Sequence, residues 1–503
     1  MNFLLKSYLK FARRIKIYRA KFHDLASKMP LYSLTLFSFV PKRIQNKLNL
    51  SFPSEYSIDL ISQGHIVVLK CSGRSIFIRD ISKIFRTKSL SEAEKSELHT
   101  FGWISILNLN VDKQWRLLIR NHIKFWIKNF KNLNGLAWRV PIVAERIYNW
   151  IMQYNLISKT SDQEFSAIFA ESIAQQLKFL KRRLYLPLDL LEKAALIRTI
   201  TIASVAVDKV RDSTRAINEL AVYLEEIDCI KSCKTTQEIL KTLRYLIEIQ
   251  AISSFLKKNI PFEISKNISQ LANIVRNIRH SDGGISIFQS EFTPSPLYID
   301  ALLSNAKKNS YKETNSSYLR LQSLEGAAFI DLRNKFFPIE FSAGIQRIIL
   351  GSYVYFPNRR LRFSNDAEMS HSIYNEKNNI WFTGKSSFSI SRNDVTFEKK
   401  LYVNNLGTDI RCEENMSNES FDVSYCIVLP SEPVITPLEY KNGFFMDFAT
   451  GARWVWNLSK NAKFLFDFAR NGILNGERKI FTLLTIETTS PNKNKLRWSL
   501  KRL

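Results

Sequence analysis

The sequence predicts an α+β protein in which a helical domain is followed by an antiparallel β-sandwich. Apolar residues recur at three- and four-residue steps from about residue 90 to 310, and at every second residue in the segments that follow. The chain of 503 residues exceeds the usual size of one domain, so it should divide into several units. We predict a basic N-terminal segment with a small strand pair (1–89), a helical domain (90–311) and a sandwich (312–503).

The N-terminal segment combines apolar residues with Lys and Arg over residues 3–22. Two interpretations stay open: a basic helix on an anionic membrane surface, or a solvated helix that packs on the next domain. The stretch lacks the apolar core and cleavage site of a signal peptide, and no later window predicts a membrane span. The alternating stretches HIVVLK and RSIFIRD, at 65–70 and 74–80, predict the strand pair.

Helical periodicity is clearest in SDQEFSAIFAESIAQQLKFLKRRL, which begins at Ser161. Its apolar residues lie on one helix face: Phe165, Ile168, Phe169, Ile173, Leu177 and Leu180. Similar stretches are separated by short joints such as YLPLD and NIPFE. This layout predicts successive antiparallel helical hairpins.

The last third of the chain has the two-residue period of strands. In DVTFEKKLYVNN, Val395, Phe397, Leu401 and Val403 share one parity, and Lys399 interrupts it. Further short segments of this kind, among them NIWFTGKSSFSIS, FDVSYCIVL and KIFTLLTIETT, are separated by turn residues. Their number predicts a sandwich of two antiparallel sheets.

The composition narrows the class of partner. The 73 Lys and Arg residues against 46 Asp and Glu residues give a net charge of +27, which attracts polyanions such as nucleic acid, anionic lipid or acidic polysaccharide. A genome of biased base composition is the other explanation of this charge. No nucleic-acid-binding module, Rossmann fingerprint, P-loop or HExxH motif is present, and the five cysteines form no zinc or disulfide pattern.

Several motifs look like those of the heparinase II/III-like family of bacterial polysaccharide lyases, in particular its proteobacterial branch. They are FGWISILNLN at 101–110, LAWRVPIVAERIYNWI at 136–151, RHSDGGISIFQ at 279–289, SYLRLQSLEGAAFIDL at 317–332, IEFSAGIQRII at 339–349, and MSHSI at 369–373. The resemblance covers nearly the whole chain after about residue 50.

This resemblance implies an (α/α) toroid of helical hairpins joined to a β-sandwich, with the active site in the groove between them. The family cleaves acidic polysaccharides by β-elimination: a base removes the C5 proton of a uronic acid, and the glycosidic oxygen leaves from C4. No cofactor takes part. Family members usually work in the periplasm or cell envelope, and a cytoplasmic location is the alternative for this chain.

Two residues are catalytic candidates, and the resemblance supplies the first of them. His371, followed by Ser372 and Ile373, matches the sandwich histidine of the family. Three roles stay open for His371. It acts as a general acid or base, it contacts the substrate without taking part in catalysis, or it is a structural residue of the sandwich whose ring nitrogens are hydrogen-bonded within the protein. Tyr298, in SPLYID, is a candidate phenolic base, and the alternative is a ring packed on the rim of the toroid.

Four further residues are candidates for substrate binding. Trp138 offers a sugar-stacking face with Arg139 as a clamp for carboxylate or sulfate, and Arg146 lies in the same stretch on the other side of Pro141. The alternative is a tryptophan in the core and arginines at helix ends. His280 and Asp282 form a polar turn that either lines the groove or has no function. No metal site is predicted, because His371 has no ligand partners at recognisable spacing.

Two expected catalytic elements are missing from the sequence. Where the family carries an Asn-His pair, this chain reads KRRLYLPLDLLEKAALIR, and where it carries a catalytic Tyr, the chain reads EEIDCIKSCKTTQEIL. Two hypotheses follow: a lyase acting on an acidic glycan, or a diverged glycan-binding or envelope protein of the same fold that no longer catalyses elimination. A third hypothesis, nucleic-acid binding, rests on the net charge alone.

Overall fold

The computed structural model describes most of the chain, and every structural statement below refers to these residues. They are 2–29, 32, 35–36, 66–68, 75–77, 80–85, 89–106, 113–130, 133, 135–158, 161–288, 293–306, 317–356, 368–390, 393–417, 423–439, 442–475, 477–488 and 494–503.

The chain forms two compact units. The first comprises Met1–Lys234, Glu238–Leu271 and Ala301–Asn309, and the second comprises Thr235–Gln237, Ala272–Asp300 and Ser310–Leu503. The second unit thus includes residues 272–300, which precede the boundary predicted near residue 312. The predicted division into three segments stays a prediction.

The first unit is built mainly from helices, and its two short strands, β1 (Ile66–Val68) and β2 (Ser75–Phe77), pair antiparallel. The helices of the chain are α1 (Asn2–Ala26), α2 (Ile81–Ile84), α3 (Glu92–His99), α4 (Lys113–Asn129), α5 (Val140–Met152), α6 (Tyr154–Ser158), α7 (Gln163–Arg182), α8 (Leu190–Ala206), α9 (Val210–Glu226), α10 (Cys229–Ser232), α11 (Thr236–Phe255), α12 (Phe262–Asn277) and α13 (Pro296–Asn305). No helix in this described part is both long and apolar enough to cross a membrane.

Local sequence signals explain where several helices begin. The Ser91 hydroxyl accepts a hydrogen bond from the Glu94 amide at 3.2 Å, and the Glu94 carboxylate accepts one from the Ser91 amide at 2.8 Å. This capping box satisfies amide groups at the start of α3 that have no partner within the helix. Asp162 and Asp189 cap α7 and α8 with their carboxylates. The predicted joint YLPLD therefore ends in a helix cap.

Helix α8 is the interior helix of the first unit. Every residue from Lys193 to Ala206 is buried, and the helix packs against α5 and α9. Because protein surrounds this helix, apolar residues occur on all of its sides and not on one face only.

The second unit contains three antiparallel sheets. Its strands are β3 (Tyr318–Gln322), β4 (Gly326–Asp331), β5 (Ile339–Ala343), β6 (Gln346–Ile349), β7 (Gly351–Tyr355), β8 (Glu368–Glu376), β9 (Asn379–Ile390), β10 (Asn393–Val403), β11 (Asp409–Met416), β12 (Ser424–Pro430), β13 (Val434–Pro437), β14 (Gly443–Asp447), β15 (Arg453–Leu458), β16 (Ala462–Leu474), β17 (Glu477–Thr488) and β18 (Lys495–Arg502). The eight-stranded sheet has the order β13-β14-β15-β18-β11-β10-β9-β8, and the four-stranded sheets have the orders β16-β17-β12-β7 and β3-β4-β5-β6.

One continuous apolar core joins the three sheets. It takes Phe397 and Trp456 from the eight-stranded sheet, Ile427 and Leu484 from the second sheet, and Phe341 from the third. Interdigitated side chains from facing sheets are the basis of a β-sandwich. We predicted two sheets, and the structure has three in this unit, because β3 to β6 form a separate sheet against the same core.

Strand β10 shows how the predicted alternation is realised. Its apolar residues of odd number are buried, and Lys399 is buried among them. The Lys399 ammonium lies 2.9 Å from the carboxylate of Glu414, which is directly opposite on β11, and donates to the Phe337 carbonyl at 2.9 Å. The residue that interrupts the apolar pattern is therefore buried together with its counter-charge.

Candidate functional site

His371 lies in the middle of β8, the end strand of the eight-stranded sheet. All residues of β8 are exposed, and His371 is directly opposite Gly384 on β9. A regular strand thus holds the imidazole while leaving it open to solvent. A residue that acts on an external substrate needs both properties.

The side of β8 that carries His371 continues the core side of the sheet. The strand register places His371 in one row with Gly384 and the buried Lys399. The imidazole lies beside the Phe382 ring, with a centroid distance of 6.4 Å and an angle of 26° between the ring planes. A Cβ atom at Gly384 would lie 2.8 Å from the Phe337 ring, so glycine at this position lets that ring pack against the strand.

The other side of the same sheet carries aromatic residues. The register places Tyr374, Trp381, Tyr402 and Arg411 side by side on β8, β9, β10 and β11, and we call these four residues the aromatic row. The rings of Trp381 and Tyr402 are 4.5 Å apart, and the Arg411 guanidinium is 5.4 Å from the Tyr402 ring. Tyr374 is 59% exposed and Trp381 is 43% exposed. The Arg411 charge is paired with Asp409 at 2.7 Å, so what the row offers a sugar is mainly its flat rings.

His280 is buried in a compact group of polar side chains. Its Nδ1 lies 3.1 Å from the Ser342 hydroxyl, and its Nε2 lies 2.9 Å from Glu340 Oε2 and 3.1 Å from the Ser286 hydroxyl. The ring also packs on Phe329 at 4.3 Å. These contacts tie the loop after α12 to β5, and they account for both nitrogens of the imidazole.

Burial determines the charge state of this pair. It raises the pKa of Glu340 to about 8 and lowers the pKa of His280 well below 6.5, because neither charged form is solvated there. The other carboxylate oxygen of Glu340 accepts hydrogen bonds from the amides of Ile287 and Phe288. Both shifts favour the uncharged forms of the two groups, in which the contact is a hydrogen bond rather than an ion pair.

Asp282 anchors the same loop. Its carboxylate accepts hydrogen bonds from the Arg347 guanidinium at 2.8 and 3.2 Å, from the Asn475 amide group at 2.8 Å and from the backbone of Gly284 at 2.9 Å. Burial opposes ionisation, but the Arg347 charge and these hydrogen bonds hold the pKa of Asp282 below its usual value. The contacts of His280 and Asp282 are those of a structural turn, and a role for His280 in substrate binding stays a prediction.

Tyr298 lies in the first turn of α13 and is 2% exposed. Its amide donates to the carbonyl of Ser295 at 3.0 Å. The ring is therefore buried within the protein. Its role as a phenolic base stays a prediction and would require the ring to become accessible to a substrate.

Trp138 and Arg146 lie together in the interior of the first unit. The Trp138 indole N–H donates to the Phe130 carbonyl at 2.8 Å, and its ring packs edge-on against Phe179. The Arg146 guanidinium lies 3.9 Å from the centre of the Trp126 ring and 5.8 Å from that of Trp138.

Polar contacts hold Arg146 in this interior position. It donates to Gln176 at 2.7 Å and to the carbonyls of Ala137 and His99 at 2.8 and 3.2 Å. The residue has no exposed surface. Arg139 differs, because it is exposed and pairs with Glu92 at 2.6 Å. Of the three substrate-binding candidates on this stretch, only Arg139 lies open to solvent, and all three roles stay predictions.

A second buried charge cluster, which none of the sequence motifs above indicates, surrounds Arg198 on α8. Its guanidinium lies between the rings of Tyr148 and Tyr245, at 3.7 and 4.1 Å, and pairs with Glu145 at 2.8 Å and Glu248 at 3.3 Å. Cation–π contacts and two carboxylates together compensate the buried charge. A single arginine within the apolar run AALIRTITIA is the sequence signal that points to it.

The two tyrosines of this cluster also donate hydrogen bonds to its carboxylates. The Tyr148 hydroxyl lies 2.6 Å from Glu248, and the Tyr245 hydroxyl lies 2.7 Å from Glu145. Burial and the adjacent carboxylates raise the pKa of both phenols. Neither tyrosine therefore ionises near neutral pH, and the cluster holds α5, α8 and α11 together.

The stretches that lack the expected catalytic elements have structural tasks instead. Asp189 caps α8, and the Leu188 carbonyl accepts a hydrogen bond from Tyr223 at 3.0 Å. In the other stretch, Asp228 caps α10, whose first residue, Cys229, is buried. Over the ranges that the structure describes, no three His, Cys, Asp or Glu side chains converge as metal ligands do.

Comparison with solved structures shows the fold. The chain is similar to a crystal structure of heparinase III, with a TM-score of 0.62 and 11% sequence identity over 97% of this chain and 91% of that chain. A second heparinase III structure gives a TM-score of 0.50 and 12% identity over 85% and 83%. No family model and no curated protein matches the sequence.

The protein has the heparinase III fold, a helical toroid domain followed by a β-sandwich. The predicted fold class is therefore confirmed. At this level of identity the likeness concerns the fold, and the chemistry has to be argued from the residues present.

Proposed function

We propose that this protein is a diverged, proteobacterial-type member of the heparinase II/III-like family that cleaves an acidic, uronate-containing polysaccharide by β-elimination. The observation that carries the proposal is the position of His371, which is exposed on a regular strand of a chain with the heparinase III fold. The net charge of +27 favours an acidic substrate. We place this activity in the cell envelope or periplasm.

The proposed reaction needs one proton acceptor and one proton donor. The His371 imidazole takes the proton from C5 of the uronate, the C5–H electron pair forms the C4=C5 double bond, and the C4–O bond breaks. The departing glycosidic oxygen takes a proton from the imidazolium or from water. Histidine is the side chain most often used for such transfers.

The test is an ultraviolet assay for the unsaturated uronate product on a panel of acidic glycans. We expect activity in the native protein and a loss of about a hundredfold or more in His371→Ala, the usual scale for removing a general base. Lys377→Ala, in the turn after β8, is the matched control and should retain activity. Absence of product from the native protein on every uronate glycan would refute the proposed reaction.

A second candidate function is binding of an acidic glycan without cleavage. The aromatic row favours it, because the rings of Tyr374 and Trp381 are exposed side by side on the face of the sheet opposite His371. The burial of Tyr298 and Arg146 also supports this candidate function, because neither side chain is exposed to a substrate.

Binding of a uronate oligosaccharide distinguishes the two functions. For the binding function we expect Trp381→Ala to weaken the affinity about tenfold, in line with the loss of one stacking ring, while His371→Ala leaves it unchanged. Tyr355→Ala removes a ring of similar exposure from β7 and is the control. Unchanged affinity in Trp381→Ala would exclude the aromatic row as the binding surface.

A further inference from the structure

Helix α1 presents an apolar stripe to solvent. Ile15, Tyr18, Phe22 and Leu25 follow one another at three- and four-residue steps and therefore lie on one face of the helix. They are 53 to 71% exposed, and Met29, in the turn after the helix, is 63% exposed. Isolated apolar residues are common on protein surfaces, but a continuous row of five marks an interaction surface.

The opposite face of α1 attaches the helix to the first unit. Arg13 forms ion pairs with Glu219 and Glu226, and Asp24 pairs with the buried Arg183 at 3.1 Å. Ala20, on the same side, is 1% exposed. These contacts fix the rotation of the helix about its axis, so the apolar stripe faces away from the unit that carries it.

Basic residues flank the stripe on both sides. At 100° per residue, Arg14 and Lys21 lie along one edge of the stripe and Arg19 lies beyond the other, and all three are exposed. Lys28, in the turn after the helix, is exposed as well. Along this part of α1 the exposed acidic residue is Asp24, which is paired with Arg183 on the attached face. The exposed face is thus apolar in the middle and positive at its edges.

The charge pattern decides between two occupants of the stripe. The spacing of the apolar residues is that of the core positions of a coiled coil, so a second copy of the helix would fit the rings and aliphatic chains. The positions beside that core, Arg14, Arg19 and Lys21, would then meet like charges of the partner, which opposes pairing. An anionic surface meets the same residues with opposite charge.

We propose that α1 is a peripheral membrane-binding helix whose apolar stripe inserts between the headgroups of anionic lipids while Arg14, Arg19 and Lys21 contact their phosphates. Apolar insertion combined with cationic edges is the arrangement of interfacial helices. The proposal is independent of the proposed lyase activity, because α1 carries none of the candidate site residues.

The test is binding of the full chain to vesicles of phosphatidylcholine with and without phosphatidylglycerol. We expect binding to the anionic vesicles that falls at least tenfold in Tyr18→Gln/Phe22→Gln, and binding in Arg14→Gln/Lys21→Gln that loses its preference for anionic lipid. Phe255→Gln/Leu297→Gln removes apolar residues of comparable exposure elsewhere and is the matched control. Circular dichroism of each variant checks that the fold is retained.

Three results would overturn the proposal. The first is that Tyr18→Gln/Phe22→Gln, the stripe variant, binds vesicles as well as the native protein does. The second is that the control variant loses as much vesicle binding as the stripe variant. The third is that the native protein binds no vesicles but forms a dimer in sedimentation, and that this dimer is lost in the stripe variant. The last result would assign the stripe to a second copy of the chain. Cleavage or binding of soluble glycans is expected to be unchanged in every α1 variant, so the two proposals fail separately.

Discussion

At the scale of single residues, burial determines which polar groups are available for chemistry. His280 and His371 are both histidines in motifs that look like those of a lyase family, yet the structure gives them different surroundings. His280 has both nitrogens engaged by Ser342, Glu340 and Ser286, whereas His371 is exposed on β8. The sequence motifs do not distinguish the two residues. Burial depends on contacts between segments that are far apart in the chain, and a local motif does not show these contacts.

The His280–Glu340 pair makes stability depend on pH. The folded-state pKa of Glu340 is about 8, above the value of 4.5 for a free carboxyl, so its contribution is complete below pH 4.5 and is lost as pH rises toward 8. The Arg347 charge opposes this shift, and the lowered pKa of His280 acts in the other direction below pH 6.5.

We therefore expect Glu340→Gln to become more stable relative to the native protein as pH rises from about 5 to 8, with a slope of up to about 1.4 kcal/mol per pH unit. The glutamine amide retains the shape of the protonated carboxyl and its hydrogen bonds but cannot ionise. Denaturant unfolding at a series of pH values measures the difference. Glu432→Gln, at an exposed position, is the control, and a pH-independent difference for Glu340→Gln would contradict the assignment.

At the scale of elements, the periodic patterns predicted helices and strands well. The apolar spacing of α7 and the alternation of β10 both appear in the structure as predicted. Lys399 is an exception to the apolar pattern of β10. The sequence near this lysine does not show which acidic residue pairs with it. Strand pairing, which places Glu414 directly opposite, supplies that partner.

The Lys399–Glu414 pair leads to a prediction about sheet stability. Lys399→Met leaves the Glu414 carboxylate buried without its counter-charge, and we expect a loss of about 3–5 kcal/mol in the free energy of unfolding. Lys399→Met/Glu414→Leu removes both charges and should recover most of this loss. Urea unfolding of the single and double variants measures both values.

The pair formed by Lys385 and Glu398 provides the control. It joins neighbouring strands of the same sheet at 3.2 Å, but Lys385 is exposed. We expect Lys385→Met to change stability by less than about 1 kcal/mol, because solvent screens an exposed pair. Equal losses in the two lysine variants would show that burial is not the cause.

At the scale of the whole molecule, length and periodicity predicted the order of a helical domain and a sandwich, and the motifs predicted its likeness to heparinase III. The separate sheet formed by β3 to β6 was missed, since sheet membership depends on pairing rather than on the period within each strand. The cluster around Arg198 was missed for a similar reason, because its members come from three helices.

The net charge also acts at this scale. A charge of +27 spread along the chain raises the local concentration of any polyanion, and added salt screens this attraction. We expect the glycan affinity proposed above to fall about tenfold or more between low salt and about 0.5 M salt. Titrations at several salt concentrations, with a neutral glycan of equal length as the control, measure this dependence.

Strand β8 has a consequence for how the protein can change over evolutionary time. Because all of its side chains are exposed, replacing them costs little folding free energy, and the core of the sandwich does not depend on them. The strand that carries His371 can therefore change its surface while the fold is retained. Under the proposed function, stability and chemistry would be governed by different residues, and the substrate could change without redesign of the interior.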